Sequence, residues 1–535
     1  MEAYKVWGTS CVEEFNGMFA FAIWDSQDKE LFLARDRLGK KPLYYSLQPD
    51  AGIVFASEMK SVMKHPSISG DVNYYALHQY LALSYTLSSQ AFLKGIEKLP
   101  AAHWMLIRKD KPPHMEQYWD LAESFLNKTS LTYDSAVLEL ESLIDDATKL
   151  RLISDVPLGA FLSGGVDSSS IAASMCNARN PESNLTFSIG FNEKSFSELA
   201  EAEFCAKYLG VSHNSKLVEP EMAKLLPKIL YYADEPFADT SIIPMYFLSE
   251  FTRQHVTVAL SGDGADEIFA GYETYAADKL HSLLKMFPSL LVSLGSKVYD
   301  ALVPRDFGKV STDYKIRQFL KGHTFDSVKA HYSWREIFSE DERRKLLSPD
   351  YHWCLEAANP LDEFRAFDDE VADACLLDRS MYTDIKTWLV DDILVKVDRS
   401  SMAHSLEARA PFLDYRVVEF AASLPQSYKI KGLNKKRILK DSQRKRLPKQ
   451  ILDRKKSGFN APIADWLENS LEAYCDDLQV SAQTQGVFNK GFVESLINDH
   501  RSKKADNSFK LFTLISFDIW QRNLKDQTQA VKEAV

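Results

Sequence analysis

Ser163-Gly164-Gly165-Val166-Asp167-Ser168-Ser169 is the stretch on which the fold of this chain turns. It follows the apolar run Ala160-Phe161-Leu162 and precedes Ile171-Ala172-Ala173, so a strand leads in and a helix leads out. Two glycines let the backbone bend sharply and approach a ligand with no Cβ in the way. Ser168 and Ser169 are expected to cap the helix, whose free N–H groups then face an anion. No Gly-Lys-Ser/Thr follows and the spacing is not GxGxxG, which excludes a Walker loop and a dinucleotide fingerprint. Asp167 inside an anion-binding loop makes sense where a cation bridges it to phosphate oxygens. A plain Gly-Gly turn with a helix cap is the bland alternative.

A second loop, Ser261-Gly262-Asp263-Gly264-Ala265-Asp266-Glu267, follows the strand-like Val256-Thr257-Val258-Ala259-Leu260. Its three carboxylates would repel one another without a cation or a positive side chain among them. An acidic surface turn is the competing reading. Around both loops, strand-like runs at Leu158 to Leu162, Thr186 to Phe191 and Val256 to Leu260 alternate with helical stretches, beginning with the apolar spacing Leu140, Leu143, Ile144 and Ala147. That alternation predicts a parallel, doubly wound α/β sheet, and ligands bind at the carboxyl ends of such strands. Beyond about residue 275 the pattern is mainly helical. Before about residue 125 it differs: Phe19 to Trp24, Leu31 to Ala34, Leu43 to Tyr45 and Ile53 to Ala56 are short apolar runs joined by turn residues. They predict antiparallel hairpins.

The chain has 535 residues, enough for two or more domains, with 45% hydrophobic and 26% charged residues. A net charge of −11 argues against a nucleic-acid or anionic-membrane binder. The basic segment from Lys431 to Lys456 carries no interleaved aromatics for base stacking, so most of its charges are expected to be solvated. Cys11, Cys176, Cys205, Cys354, Cys375 and Cys475 form no CxxC pair and no cluster with histidine, so they read as reduced, mostly buried thiols in a cytoplasmic protein. No run approaches the roughly 18 apolar residues of a membrane span, and the first residues lack a signal-peptide pattern.

The first loop resembles the SGGxDSS signature of the ATP-pyrophosphatase (PP-loop) superfamily, and the second resembles the matching loop of the asparagine synthetase family. Further segments match that family in order: Asp234-Glu235-Pro236-Phe237-Ala238-Asp239, then Asp398-Arg399-Ser400-Ser401-Met402-Ala403 leading into Glu407-Ala408-Arg409-Ala410-Pro411-Phe412-Leu413-Asp414, then Arg454-Lys455-Lys456-Ser457-Gly458-Phe459. The resemblance implies a glutaminase-type domain over 1–125 followed by a PP-loop synthetase domain over 126–535. It implies ATP and Mg2+ as cofactors, L-aspartate with ammonia or glutamine as substrates, β-aspartyl-adenylate and pyrophosphate as products of the first step, and asparagine of the second. It places Ser163, Gly164, Gly165, Ser168 and Ser169 on pyrophosphate. Asp167 and Asp266 would hold magnesium, and Leu162, Ile189, Ser261 and Gly262 would line the adenosine pocket. Asp263 stands where many relatives carry glutamate, and Lys456 matches the lysine that steadies the phosphates, with Lys455 the weaker candidate. No nucleic-acid or membrane partner is implied, and a homodimer is admissible. The alternatives are a same-fold amidotransferase or β-lactam-synthetase-like enzyme acting on another carboxylate, and a non-catalytic scaffold.

One departure stands out. The family's glutaminase uses a cysteine immediately after the initiator methionine, whose own α-amino group serves as the base. Residue 2 here is Glu2, and Cys11 lies in a helical-looking segment, so no glutaminase nucleophile is assigned. The stretches around Phe15 to Phe21, Ala34 to Tyr45 and Phe55 to Lys60 resemble the latter part of that domain. A late start is the favoured explanation and a naturally shortened, ammonia-dependent enzyme the other. Half a sandwich would expose strand edges and the apolar face around Phe19, Phe21 and Trp24, giving a poorly soluble chain.

Overall fold

A computed structural model describes residues 1–535 apart from 49–51, 89, 110, 193–196, 220, 286–291, 293–297, 300–302, 304–311, 455–457, 459–460 and 535. The alternating runs of the first 120 residues form two antiparallel sheets. Strands β1 (Ala20–Asp25), β2 (Glu30–Arg35), β6 (His103–Arg108) and β7 (His114–Gln117) lie in the order β1-β2-β6-β7. Strands β3 (Tyr44–Leu47), β4 (Ile53–Ala56) and β5 (Glu97–Lys98) lie in the order β4-β3-β5. The Asp25 carboxylate accepts the Gln27 and Asp28 N–H groups and closes the first hairpin, which is ordinary Asx-turn chemistry. Period-two alternation then sorts the two faces. Leu31, Leu33, Met105 and Ile107 pack on Leu43, Tyr45, Ile53 and Leu99 of the smaller sheet. Phe21, Ile23, Phe32, Ala34, Trp104 and Leu106 turn the other way, against Tyr4, Cys11, Val12 and Phe15. The apolar face expected to be open is therefore largely covered by residues 2–15. Trp24 remains 58% exposed on the edge strand β1.

The doubly wound sheet is present. Strands β8 (Leu158–Phe161), β9 (Leu185–Phe191), β10 (Ser212–Val218), β11 (Val258–Leu260) and β12 (Glu407–Arg409) are all parallel, in the order β10-β9-β8-β11-β12. The order reverses between β8 and β11, and there the chain leaves one strand for one side of the sheet and the next for the other. Parallel pairing forces long crossovers. Helices Val166–Ala178, Leu199–Leu209, Met222–Ala233 and Ile242–Arg253 supply them, and a long, mainly helical excursion joins β11 to β12. Two of the five strands are not legible in sequence. β10 is a polar edge strand, Ser212-His213-Asn214-Ser215-Lys216-Leu217-Val218, and β12 has three residues.

Two of the ordered motifs act at the joint between the N-terminal sheets and this unit. Asp234, at a left-handed φ of 74°, accepts the Lys60 N–H at 3.0 Å and also that of Met59. Glu235 takes the Phe92 N–H at 2.8 Å, the Tyr44 hydroxyl at 3.0 Å and Lys98 Nζ at 2.7 Å. Lys41 pairs with Asp398 at 2.8 Å, and Arg399 donates to the Ser57 carbonyl at 3.1 Å. The six thiols are all free, four of them buried. No helix among the described residues is long and apolar enough to cross a membrane.

Candidate active site

Both signature loops leave the carboxyl ends of β8 and β11, the two strands that flank the reversal of strand order, where an open α/β sheet offers a crevice. In the first, Gly164 adopts a left-handed φ of 71°, and a Cβ there would lie 2.5 Å from the Glu201 backbone. Gly165, rather than a serine, is the N-cap of Val166–Ala178. Ser168 instead ties the loop to itself: its Oγ accepts the Ser163 N–H at 3.1 Å and lies 3.0 Å from Ser163 Oγ. Ser169 sits further into the helix, fully buried, and its hydroxyl accepts from the Cys205 thiol. The expected serine caps are thus replaced by a glycine cap and a serine clasp, because a residue two or three positions inside a helix cannot reach its own first N–H groups.

The second loop presses on the first. A Cβ on Gly262 would lie 2.8 Å from the Ser168 nitrogen, so only glycine allows this approach. The Ser261 N–H is spent on the Arg409 carbonyl at 2.8 Å, which anchors the loop to β12. Gly264, at φ 89°, turns the chain into the short helix Ala265–Ile268 and brings Asp266 toward Asp167.

Between these two aspartates sits Lys436, whose Nζ is 2.6 Å from Asp167 Oδ2 and 2.7 Å from Asp266 Oδ1. The tight Lys431-Gly432-Leu433-Asn434 turn, with Gly432 at φ 63°, delivers it, and Lys436 itself is at φ 51°. Burial alone would lower the Lys436 pKa, but the two carboxylates outweigh it and hold the ammonium charged well above the ordinary range. Gly271 makes room for the pair: a Cβ there would lie 1.9 Å from Asp266 Oδ1 and 2.1 Å from Lys436 Cε. Lys436 is thus a buried member of the basic segment, most of whose charges are expected from sequence to be solvated. Its position just after a Lys-Gly-Leu-Asn turn was the available signal. Arg454 also leaves the solvent, donating to the Ser163 carbonyl at 2.9 Å and to Glu198 at 3.0 Å.

Leu162 and Ile189 are buried at the carboxyl ends of neighbouring β8 and β9. Asp263 faces a different cation, Lys396, whose Nζ donates to Asp239 at 3.1 Å and Ser241 at 2.8 Å. Burial pushes the Asp263 carboxyl up, and Lys396 draws it back only in part. Asp239 goes the other way: burial raises it, but Lys396 and the Ser241 hydrogen bonds prevail and lower it. A small cavity lined by Met18, Lys40 and Lys41 on one side and by Ser261, Asp263 and Leu394 on the other joins this corner to the N-terminal unit. Lys455 and Lys456 lie outside the described residues.

Asp167 and Asp266 suit magnesium. It is a hard cation that takes one or two carboxylates together with phosphate oxygens and waters, rather than an all-protein cage. No cluster of three or more His, Cys, Asp or Glu suited to a metal occurs among the described residues.

The asparagine synthase family matches residues 139–522, and the glutamine amidotransferase domain matches residues 1–119. Asparagine synthetase [glutamine-hydrolyzing] 1 of Bacillus subtilis is 34% identical over 524 residues, 97% of this chain and 79% of that protein. A second B. subtilis relative, asparagine synthetase [glutamine-hydrolyzing] 3, is 29% identical over 88% of this chain and 72% of its own length. Amidase chry2 of Gibberella zeae is 26% identical over 92% of this chain and 76% of its own. The chain belongs to the asparagine synthase family. It is therefore a ligase of the amidotransferase type, with the ATP and magnesium dependence of that family.

Proposed function

We propose that the chain amidates L-aspartate to L-asparagine through β-aspartyl-AMP, releasing AMP and pyrophosphate. The single observation that carries this reading is the Lys436 ammonium held between Asp167 and Asp266, one from each loop across the switch point. It provides fixed positive charge and two hard oxygen donors at the spot where a polyphosphate would meet two strand ends. Ser163, Gly164, Gly165 and Ser168 cradle the pyrophosphate, whereas Ser169, fully buried with its N–H on the Gly165 carbonyl, stands behind the loop. Leu162, Ile189, Ser261 and Gly262 take the adenosine, and Lys456 steadies the departing phosphates. Magnesium, when bound at Asp167 and Asp266, supplies charge neutralisation for the leaving pyrophosphate. Asp263 lies at the acceptor end, with Lys396 beside it and the cavity toward Met18 and Lys40 as the route for ammonia. Ammonia is the nitrogen that the adenylate accepts in this reading, and the N-terminal sheets form the unit up to about residue 125.

The test is release of pyrophosphate and AMP from ATP with magnesium and L-aspartate, with ammonium or glutamine in parallel and asparagine read by mass. Asparagine from ammonium is the expected result. Well-folded chain that releases no aspartate-dependent pyrophosphate sinks the aspartate assignment. The fungal relative called an amidase supports one second reading, the same adenylation on another carboxylate. An acceptor screen by pyrophosphate release separates the two. A scaffold would keep its partner binding when Asp167→Ala is introduced, whereas the ligase loses adenylation.

A further inference from the structure

Asp392 is fully buried, and neither of its carboxylate oxygens accepts a hydrogen bond from a donor among the described residues. It lies on the nine-residue π-helical stretch Ile385–Ile393. Wide π turns are rare and concentrate at functional positions. Here the wide turn directs two consecutive carboxylates inward: Asp391 accepts the Ser88 N–H at 2.8 Å, and Asp392 lies against Asp239. The groups facing Asp392 are Asp239 from the loop before Ile242–Arg253, Lys396 from the following helix, Arg335 and the buried Tyr85. Arg335 is committed to Asp384 at 2.5 Å. Lys396 is thus the one ammonium here shared by Asp239, Asp263 and Asp392.

Three buried carboxylates sharing one ammonium oppose one another's ionisation. Asp239 already accepts Lys396, the Ser241 N–H and the Ser241 hydroxyl, which favours its charged form. Asp392 accepts no hydrogen bond from a donor among the described residues and lies against the Asp239 carboxylate, which favours its neutral form. A carboxylic acid next to a carboxylate has one satisfying arrangement: the acid O–H donates to the carboxylate. Burial, first, and then Asp239 push the Asp392 carboxyl well above its ordinary range, in keeping with that geometry.

We propose that Asp392 is a positioning residue that works as a neutral acid, donating its proton to Asp239 and so holding Lys396 beside Asp263, where the acceptor carboxylate is activated. The role rests on the proposed amidation. A neutral Asp392 leaves Lys396 and Asp239 balanced, and an anionic acceptor can approach. An ionised Asp392 would add a negative charge to the acceptor corner and repel it.

The experiment uses the full chain with Asp392→Asn, which keeps a neutral donor, and Asp392→Leu, which keeps the volume and removes it. Initial rates of pyrophosphate release are measured against L-aspartate at saturating ATP, magnesium and ammonium, across about pH 6 to about pH 10. The wild-type acceptor KM should climb on the alkaline side. In the Asn variant that climb should vanish, while Leu should raise KM about tenfold or more with the KM for ATP unchanged, and Asn should recover most of that loss. An Asn variant that loses as much as Leu, or that keeps the alkaline climb, overturns the positioning role.

Thermal midpoints give a second readout that needs no turnover. A buried acid with a raised pKa makes the folded state hold a proton that the unfolded chain releases, so stability falls as pH rises above about 4. The midpoint of the Asn variant should therefore gain on the wild type between about pH 5 and about pH 9. A flat difference overturns the neutral acid. Wild type that gives no aspartate-dependent pyrophosphate removes the aspartate reading, and the thermal comparison still decides the state of Asp392.

Discussion

At the residue scale, Lys436 stands where two carboxylates from different loops would otherwise repel. Removing one partner of a buried ionic group leaves uncompensated charge, at a cost of about 3–5 kcal/mol. Lys436→Met should lower the thermal midpoint accordingly and reduce pyrophosphate release at least about a hundredfold. Added magnesium should restore part of the lost midpoint, because a divalent cation can occupy the same carboxylates. No recovery in a magnesium titration would argue that Asp167 and Asp266 do not hold the metal. Gly262→Ala tests the contact between the loops. Its methyl would meet the Ser168 nitrogen and the Asp167 carbon, which are backbone atoms that cannot swing away. We expect about 1–3 kcal/mol of destabilisation and a larger fractional loss in turnover, since the wedge opens the gap that the two aspartates share. Equal turnover in the variant would show that the loops need not touch.

At the element scale, His331 on the helix Ser327–Ser333 joins two other helices. Nδ1 lies 2.9 Å from Asp278 on Glu273–Leu284, and Nε2 lies 3.0 Å from Asp384 on Leu376–Asp384. Burial works against its charge, but the two aspartates prevail and raise its pKa to about 10. A raised histidine stabilises the fold fully below its unfolded pKa of about 6.5, and the contribution declines as pH rises through the folded value. His331→Gln should therefore be much less stable than the wild type near pH 6, and the gap should close by about pH 10. Thermal midpoints of both proteins across that range check the sign. A gap that widens with pH would mean that the imidazole is neutral in the fold. The turn after Ser327–Ser333 carries Arg335, which stacks on Trp388 at 4.4 Å and Tyr272 at 5.2 Å, and the Tyr272 hydroxyl donates to Glu267 of the second loop. The helical excursion between β11 and β12 is thereby packed directly behind the acidic loop.

At the scale of the whole molecule, the two halves share an apolar core, in which Met59, Val62 and Leu93 cluster with Leu230, Ile242 and Trp520, and charge and backbone hydrogen bonds fix how they meet. Asp234 is central: its buried carboxylate takes two N–H groups from the start of Met59–Val62 and faces Arg399 at 3.4 Å, while its carbonyl accepts Trp520 Nε1 at 3.0 Å. A non-glycine residue at φ 74° persists only where its surroundings over-determine it. Asp234→Ala should cost about 2–4 kcal/mol and loosen the N-terminal sheets. Limited proteolysis should then cut faster between 118 and 132, with the loss in turnover following that loosening. Unchanged proteolysis would place the strength of the joint elsewhere, in Lys41–Asp398 and Glu235–Lys98.

The sequence by itself determined the two loops, the parallel sheet that presents them and the antiparallel sheets before it. Each is a local pattern: glycines where the backbone must bend, short apolar runs of period two or in blocks, and helical spacing between them. Only the tertiary structure decided the rest, because it depends on residues far apart in the chain. Lys436 lies 269 residues from Asp167, and nothing local separates it from Lys435 or Lys440. The strands β10 and β12 are polar or very short and take their conformation from the neighbour they pair with. Likewise, Asp234, Glu235, Asp398 and Arg399 read in sequence as parts of ordered motifs, yet their partners are N-terminal backbone and side chains. Local pattern is set by the conformational preferences of neighbouring residues. Which charge meets which is set by how the sheets and helices pack.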